Sequence, residues 1–462
     1  MQPHDRHTIE ERAALGKSLR QRAPRTSHAE WLAGSERPNP IDLIEEQNED
    51  RLDWLVPLRR SRMMASPFAF YRGGARIMAS DLSRTPVTGL MVQGCGDAHL
   101  SNFGLYASPE RNLVFDINDF DETLEGPWEW DLKRLAASFT IAARHNELDR
   151  DESRKITREV VRSYGESMYM LAKWHTLDIW YAHVDEKHYK GYADLPRTYK
   201  RAKKTIAKAK TKHSLQALNR FAEEVDGKYR IKHDAPLVVP FRELSQTERG
   251  RVNEELVRNT FEAYVAGVAP DCRALLKRFQ PVDMALKVVG VGSVGTRCWI
   301  LLLEGRDRND PLFLQMKEAT RSVLADHLPA SPYESHGRRV VEGQRLMQTV
   351  NDVFLGWTHT PETGHDYYWR QLRDWKGSVE IDGLDAAAFK SYARLCAWTL
   401  ARAHARSGDP VAIAGYLGSS DTFDQALAEF AERYADQNER DYDAFLEEIR
   451  SGRLEAASEE AS

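Results

Sequence analysis

The runs DMALKVVG (Asp283–Gly290), CWILLLE (Cys298–Glu304) and LFLQMKEA (Leu312–Ala319) follow one another closely. Only a glycine-rich turn and the turn cluster Gly305–Pro311 stand between them. Parallel neighbours would need a crossover of roughly a dozen residues or more, usually a helix. These three segments are therefore expected as antiparallel strands. A fourth run, YYWRQLRD (Tyr367–Asp374), and one helical stretch, GRRVVEGQRLMQTV (Gly337–Val350), complete a β-rich block over residues 281–375. Residues 88–121 alternate short apolar runs with turn residues and read as further short strands. Residues 130–180 and the chain after Asp385 have helical apolar spacing. Strands and helices so segregated predict an α+β fold.

Composition narrows the function. Lys+Arg is 65 and Asp+Glu is 70, so the formal charge is −5. That balance argues against nucleic acid as a partner, because such proteins carry a strongly basic domain. Four scattered cysteines, Cys95, Cys272, Cys298 and Cys396, show no metal-binding spacing and suggest a reducing compartment. The N-terminus has no apolar signal region, and the run Trp299–Leu303 is far too short to cross a bilayer. A cytoplasmic protein with no membrane partner is expected. Residues 1–50 read as a loose polar arm with short helices. Asp50–Met64 has helical spacing interrupted by Pro57. SPFAFYRGG (Ser66–Gly74) reads as a turn, an aromatic patch and a glycine pair, and its Arg72 suits either an anion-binding or a structural role. The basic segment 187–213 is expected as a surface helix away from the site, and Glu455–Ser462 as a disordered acidic tail.

The chemistry gathers in GCGDAHLSNFG (Gly94–Gly104) and VFDINDFD (Val114–Asp121). A carboxylate on a glycine-led loop, Asp97, can take a proton from a substrate hydroxyl. Asn102, five residues later, can turn back beside it as a metal ligand. Asp119, after the next strand, can hold the same Mg²⁺ against phosphate oxygens. Phosphoryl transfer needs mainly such positioning and charge neutralisation. The bland alternative is a set of turn and cap residues, and His99 alone reads best as a buried structural imidazole.

The second motif, GVGSVG, contains Gly290, Gly292 and Gly295. By itself it suits a Rossmann turn, a lid over phosphates or a structural hairpin. A Rossmann turn must open a helix, whereas CWILLLE is too short for one and ends in a turn cluster. Lys317, on the third strand, then faces the phosphates.

Taken together these segments resemble the protein-kinase-like fold in its aminoglycoside and choline phosphotransferase branch. The matching residues are Gly96-Asp97, His99, Asn102, Asp119-Phe120, Pro127, Asp131-Leu132 and Arg134. The resemblance implies Asp97 as catalytic base, Asn102 and Asp119 as metal ligands, and Asp131 bracing the loop from a helix start. His99 and Asp121 support them. It also implies that Gly290, Gly292, Gly295 and Lys317 bind ATP, with Glu342, or the nearby Glu334, pairing Lys317 and the backbone after YYWRQLRD taking the adenine. Two positions depart from the pattern: Cys95 stands where a His is usual, and Asn118 where an apolar residue is usual. SPFAFYRGG, GDAHLSNFG, NDFDET, EWDLKRLAAS, LQMKEA and ARAHARSGD are also similar to an uncharacterised bacterial domain-of-unknown-function family.

The order of parts is inverted, since Lys317 follows Asp97 by 220 residues. The helix LARAHARSG (Leu400–Gly408) resembles the one that usually precedes the catalytic loop. The resemblance therefore implies a circularly permuted, two-lobed kinase-like fold. An N-terminal helical arm (1–85) precedes the catalytic loop and helical lobe (86–280). A small antiparallel nucleotide lobe (281–375) and C-terminal helices completing the helical lobe (376–462) follow. The expected activity is ATP- and Mg²⁺-dependent phosphotransfer to a small hydroxylated or amino acceptor, because only 12 residues separate Asp119 from Asp131. The alternatives are AMP transfer by a flipped nucleotide and a nucleotide-binding pseudokinase acting as a regulatory module.

Overall fold

A computed structural model describes residues 7–186, 196–244, 254–372 and 374–457. The fold is α+β with antiparallel sheets. Its strands are β1 Met91–Gly94, β2 Phe103–Ala107, β3 Leu113–Ile117, β4 Leu124–Pro127, β5 Val184–Asp185, β6 Ala222–Val225, β7 Lys228–Ile231, β8 Val238–Pro240, β9 Gln280–Lys287, β10 Cys298–Glu304, β11 Pro311–Ala319, β12 Gly356–Thr360, β13 His365–Gln371 and β14 Gly377–Ser378.

The largest sheet has the order β12-β13-β11-β10-β9-β8. The three expected strands pair as antiparallel neighbours, with Ile300 opposite both Ala285 and Gln315. Strands β8 and β12, not expected from the sequence, extend both edges. Both faces of β11 are covered, which explains why LFLQM reads as a continuous run rather than an alternation. Leu312, Leu314 and Met316 pack against the helices Glu254–Gly267 and Pro270–Leu276, while Phe313 packs on the opposite face with Phe221. The helix His336–Met347 lies against β12 and β13.

The helices Trp128–His145, Arg150–Leu171, Ala386–Ser407 and Thr422–Arg450 pack together as the second half of the molecule. Alanines such as Ala136, Ala137, Ala397 and Ala401 are fully buried between them and let the axes approach closely. Trp128 stacks on Tyr164, with ring centroids 5.7 Å apart. The C-terminal end of Ala386–Ser407 sits beside β1, where the Ser407 hydroxyl accepts from the Gln93 N–H at 2.9 Å.

The N-terminal segment is docked rather than loose. The helix Ile9–Ser18 crosses Pro410–Leu417 so closely that a Cβ on Gly16 would stand 1.9 Å from the Ala412 carbonyl. Arg20 donates to the carbonyls of Gly415 and Tyr416. Backbone approach and arginine–carbonyl bonds make this contact, so its polar composition does not advertise it. Pro57 and Pro67 both open helices, Val56–Met64 and Pro67–Gly73, where the missing N–H costs nothing. SPFAFYRGG is thus a capped helix, not a turn: Ser66 Oγ accepts from the Ala69 N–H at 3.0 Å. In the basic segment, residues 187–195 lie outside the described residues. The helix Pro196–Lys210 buries Ala202, Ile206 and Ala209, with Lys208 and Lys210 paired to Glu380 and Glu186. Of the acidic tail, 458–462 lie outside the described residues, and the Ala457 N–H donates to the Pro57 carbonyl at 3.0 Å. The four cysteines are free and buried, and no helix among the described residues is long and apolar enough to cross a membrane.

Candidate active site

The Asp97 loop is shaped by its glycine and braced from behind. Gly96 has φ +81°, and a Cβ there would stand 2.3 Å from the Glu122 carbonyl, so the turn requires glycine. Asp131, at the start of Trp128–His145, accepts from the N–H groups of Cys95 and Gly96 at 2.8 and 3.0 Å. Asn102 turns back, and its Nδ2 donates to the Asp97 carbonyl at 2.8 Å. Asp97 Oδ1 accepts from Arg134 Nε at 2.9 Å and lies 2.7 Å from Nη2 of the same guanidinium, while Oδ2 lies 3.6 Å from His99 Nε2. Burial raises the Asp97 carboxyl, but the Arg134 guanidinium, by charge and hydrogen bond, and Arg72 outweigh it and hold it below its ordinary value. Burial pushes the His99 imidazole down to about 3, so it is neutral.

The next loop brings Asp119 and Asp121 to the same place. Asp121 is ion-paired with Lys317 and accepts from the Tyr368 hydroxyl at 2.7 Å and Ser293 Oγ at 3.3 Å. Lys317 Nζ is 3.9 Å from Asp119. Burial and the neighbouring Asp121 raise the Asp119 carboxyl. Burial raises Asp121 too, but the Lys317 ammonium more than offsets it. Lys317 is only 2% exposed, and both carboxylates raise it against the effect of burial, so it stays charged.

The glycine turn is held over this loop from outside. Gly290 and Gly295 have φ of +65° and +91°. Arg62 donates to the Gly290 carbonyl at 2.6 Å, and the Leu52 N–H to the Gly295 carbonyl at 2.8 Å. A cavity of about 260 Å³ lies beneath, lined by Gly290, Gly292, Ser293, Asp97, His99, Asn102, Asp119, Asp121, Glu122 and Arg72 among others. Burial moves Glu122 up to about 7, although its carboxylate accepts from the Val323 N–H at 2.7 Å.

The structure therefore brings together Asp97, His99, Asn102, Asp119, Asp121, Gly290 and Gly292. Gly295 closes the turn, Lys317 joins through its carboxylate partners, and Asp131 stands behind. Glu342 does not join them. Its partner is Arg345 at 3.4 Å, and Lys317 takes Asp121 instead. The stripe of His336–Met347 that meets the loop carries Arg339 and Gly343, both at Thr123, while Glu342 pairs along its own helix. Arg339 donates to the carbonyls of Asp121, Thr123 and Thr320. Of the backbone after β13, where the adenine was expected, Arg373 lies outside the described residues, and two neighbouring groups are already paired. The Trp375 N–H donates to the Lys212 carbonyl at 2.8 Å, and the Asp374 carbonyl accepts from the Ala107 N–H at 3.0 Å. The sequence reading also missed Tyr368 and Arg370. Tyr368 pairs directly with Lys317 and Arg370 with Gln315, so period-two alternation from Lys317 would have put both on its face.

Asn102 and Asp119 supply an amide and a carboxylate to one cavity wall. Among the described residues no group of three His, Cys, Asp or Glu side chains could hold a metal. Mg²⁺ needs only one or two carboxylates when phosphates complete its shell, so this pair fits it. A family model described as "Uncharacterized protein conserved in bacteria (DUF2252)" matches residues 51–448. No curated protein and no solved structure matches the chain significantly.

Proposed function

The chain belongs to this uncharacterised bacterial family, and on that premise we propose that it is a Mg²⁺- and ATP-dependent phosphotransferase of kinase-like, circularly permuted fold, acting on a small hydroxylated or amino acceptor. One observation carries the reading. Asp97, Asn102, Asp119 and the Gly290 turn line one cavity, and Lys317, 220 residues after Asp97, contacts the Asp119 and Asp121 carboxylates of that lining. The sheet order supports the nucleotide lobe: a glycine hairpin (β9-β10), the Lys strand beside it, then β13 and β12.

The acceptor oxygen forms a bond to the terminal phosphorus as the bond to the bridging oxygen breaks. That electron pair leaves with the diphosphate. Asp97 Oδ2 takes the acceptor proton, while Arg134 holds Oδ1 and fixes the carboxylate's direction. A weakly basic carboxylate suits a loose transition state, in which the proton moves late. Asn102 and Asp119 would hold Mg²⁺, which supplies charge neutralisation on the phosphates. The Gly290 and Gly292 backbone approaches those phosphates without a side chain in the way.

The alternative of a regulatory pseudokinase is favoured by one feature, the sealing of Lys317 by Asp121 with no Glu342 pair. Thermal shift with MgATP and mass spectrometry of candidate acceptors separate the two. Binding with transfer supports the enzyme, binding without transfer supports the module, and no binding removes both.

A further inference from the structure

The face of the sheet that carries Lys317 is closed from that residue toward the strand's other end. Phe313, Gln315 and Lys317 alternate along β11 and so share this face. Gln315 Oε1 accepts from Arg370 Nε at 2.9 Å, and its Nε2 lies 3.1 Å from Cys298 Sγ. Beyond it, Phe313, Ile300 and Ala285 pack with Leu218 and Phe221 of the helix Ser214–Phe221. The Phe221 and Phe313 rings are 6.2 Å apart, and Lys287 Nζ lies 5.6 Å from the Phe221 ring. Two residues before that helix, the Lys212 carbonyl takes the Trp375 N–H.

A purine or pyrimidine is selected by an apolar slot for its plane and by hydrogen-bond partners for its edge. Among the described residues, Leu218 and Phe221 fill the apolar slot along β11, and the Lys212 carbonyl takes the Trp375 N–H. The other end of the site is open: the Gly290–Ser293 backbone, Asn102, Asp119 and Arg72 border the cavity. Arg72 Nε is buried without a hydrogen-bond partner among the described residues. Its carbonyl lies against Gly292, where a Cβ would stand 3.3 Å from it. Arg72 borders the cavity, and its charge acts on Asp97, so its guanidinium is suited to a phosphate oxygen there.

We propose that the donor is recognised through its phosphates and not its base. The ligand class is a Mg²⁺-complexed triphosphate or longer polyphosphate, with the nucleoside projecting from the site unread. This rests on the phosphotransferase reading for the role of the cavity, and it narrows that reading to a donor class.

The test is calorimetric titration of the full chain with the Mg²⁺ complexes of ATP, GTP, CTP, UTP and inorganic tripolyphosphate. Dissociation constants within about threefold of one another are expected, because a site that makes no hydrogen bonds to a group cannot select it strongly. Tripolyphosphate should compete with ATP, and Asp119→Ala should weaken all five. A preference above about tenfold for one base overturns the proposal. So does failure of tripolyphosphate to compete, or binding that Asp119→Ala leaves unchanged. If all five bind alike but none transfers a phosphoryl group to any acceptor, the phosphotransferase reading falls and the phosphate site stands. If none binds, both fall.

Discussion

Lys317 on β11 is ion-paired with Asp121, 196 residues earlier in the chain, and the pair ties the six-stranded sheet to the loop that carries Asp119. Tyr368 completes the junction by donating to the same carboxylate. An ammonium this buried is held by its partners, and the loop is held by the ammonium.

Lys317→Met leaves Asp121 without its cation. A loss of about 3–5 kcal/mol is expected in urea denaturation, as when one partner of a buried pair is removed. Lys317→Met combined with Asp121→Asn should recover a large part of it. A single-variant loss below about 1 kcal/mol would show that the pair does not hold the junction.

Asp97→Asn keeps an oxygen for Arg134 and should fold with nearly unchanged stability. Phosphoryl turnover should fall by about 10²–10⁴-fold, the range for removing a general base, while MgATP binding persists. Wild-type turnover on an identified acceptor would exclude Asp97 as the base.

Glu122 ties stability to pH. Its folded-state value of about 7 lies above its ordinary value of 4.5. The folded state therefore keeps a proton that the unfolded state loses, and stability falls as pH rises between those values. Glu122→Gln should raise the melting temperature at pH values above 7 and give no gain below 4.5. An equal effect at both ends would mean that its ionisation is not what matters.

Arg72 separates a ligand group from a structural one. Burial lowers its pKa, and its Nε has no partner among the described residues. Arg72→Ala should leave the unliganded melting temperature unchanged or higher, and weaken Mg-tripolyphosphate binding about tenfold. A destabilised protein with unchanged tripolyphosphate affinity would make it structural.

Much of this was readable along the chain. Turn lengths around CWILLLE forced antiparallel pairing, because a short connection cannot cross a sheet. The spacing of Gly96, Asp97 and Asn102 set a loop whose Asn102-to-Asp97 hydrogen bond closes within six residues. Such features depend on neighbours a few bonds away, so sequence alone determines them. The partner of Lys317 was not of that kind. Glu342 and Asp121 were both reachable acids, and the choice fell to the rotation of His336–Met347, which presents Arg339 and Gly343 to the loop. The covering of β11 by Phe221 and the docking of Gly16 on Ala412 were decided the same way. Each depends on how whole elements settle against one another. That is the sum of many weak contacts spread over the chain, and no local pattern of residues records it.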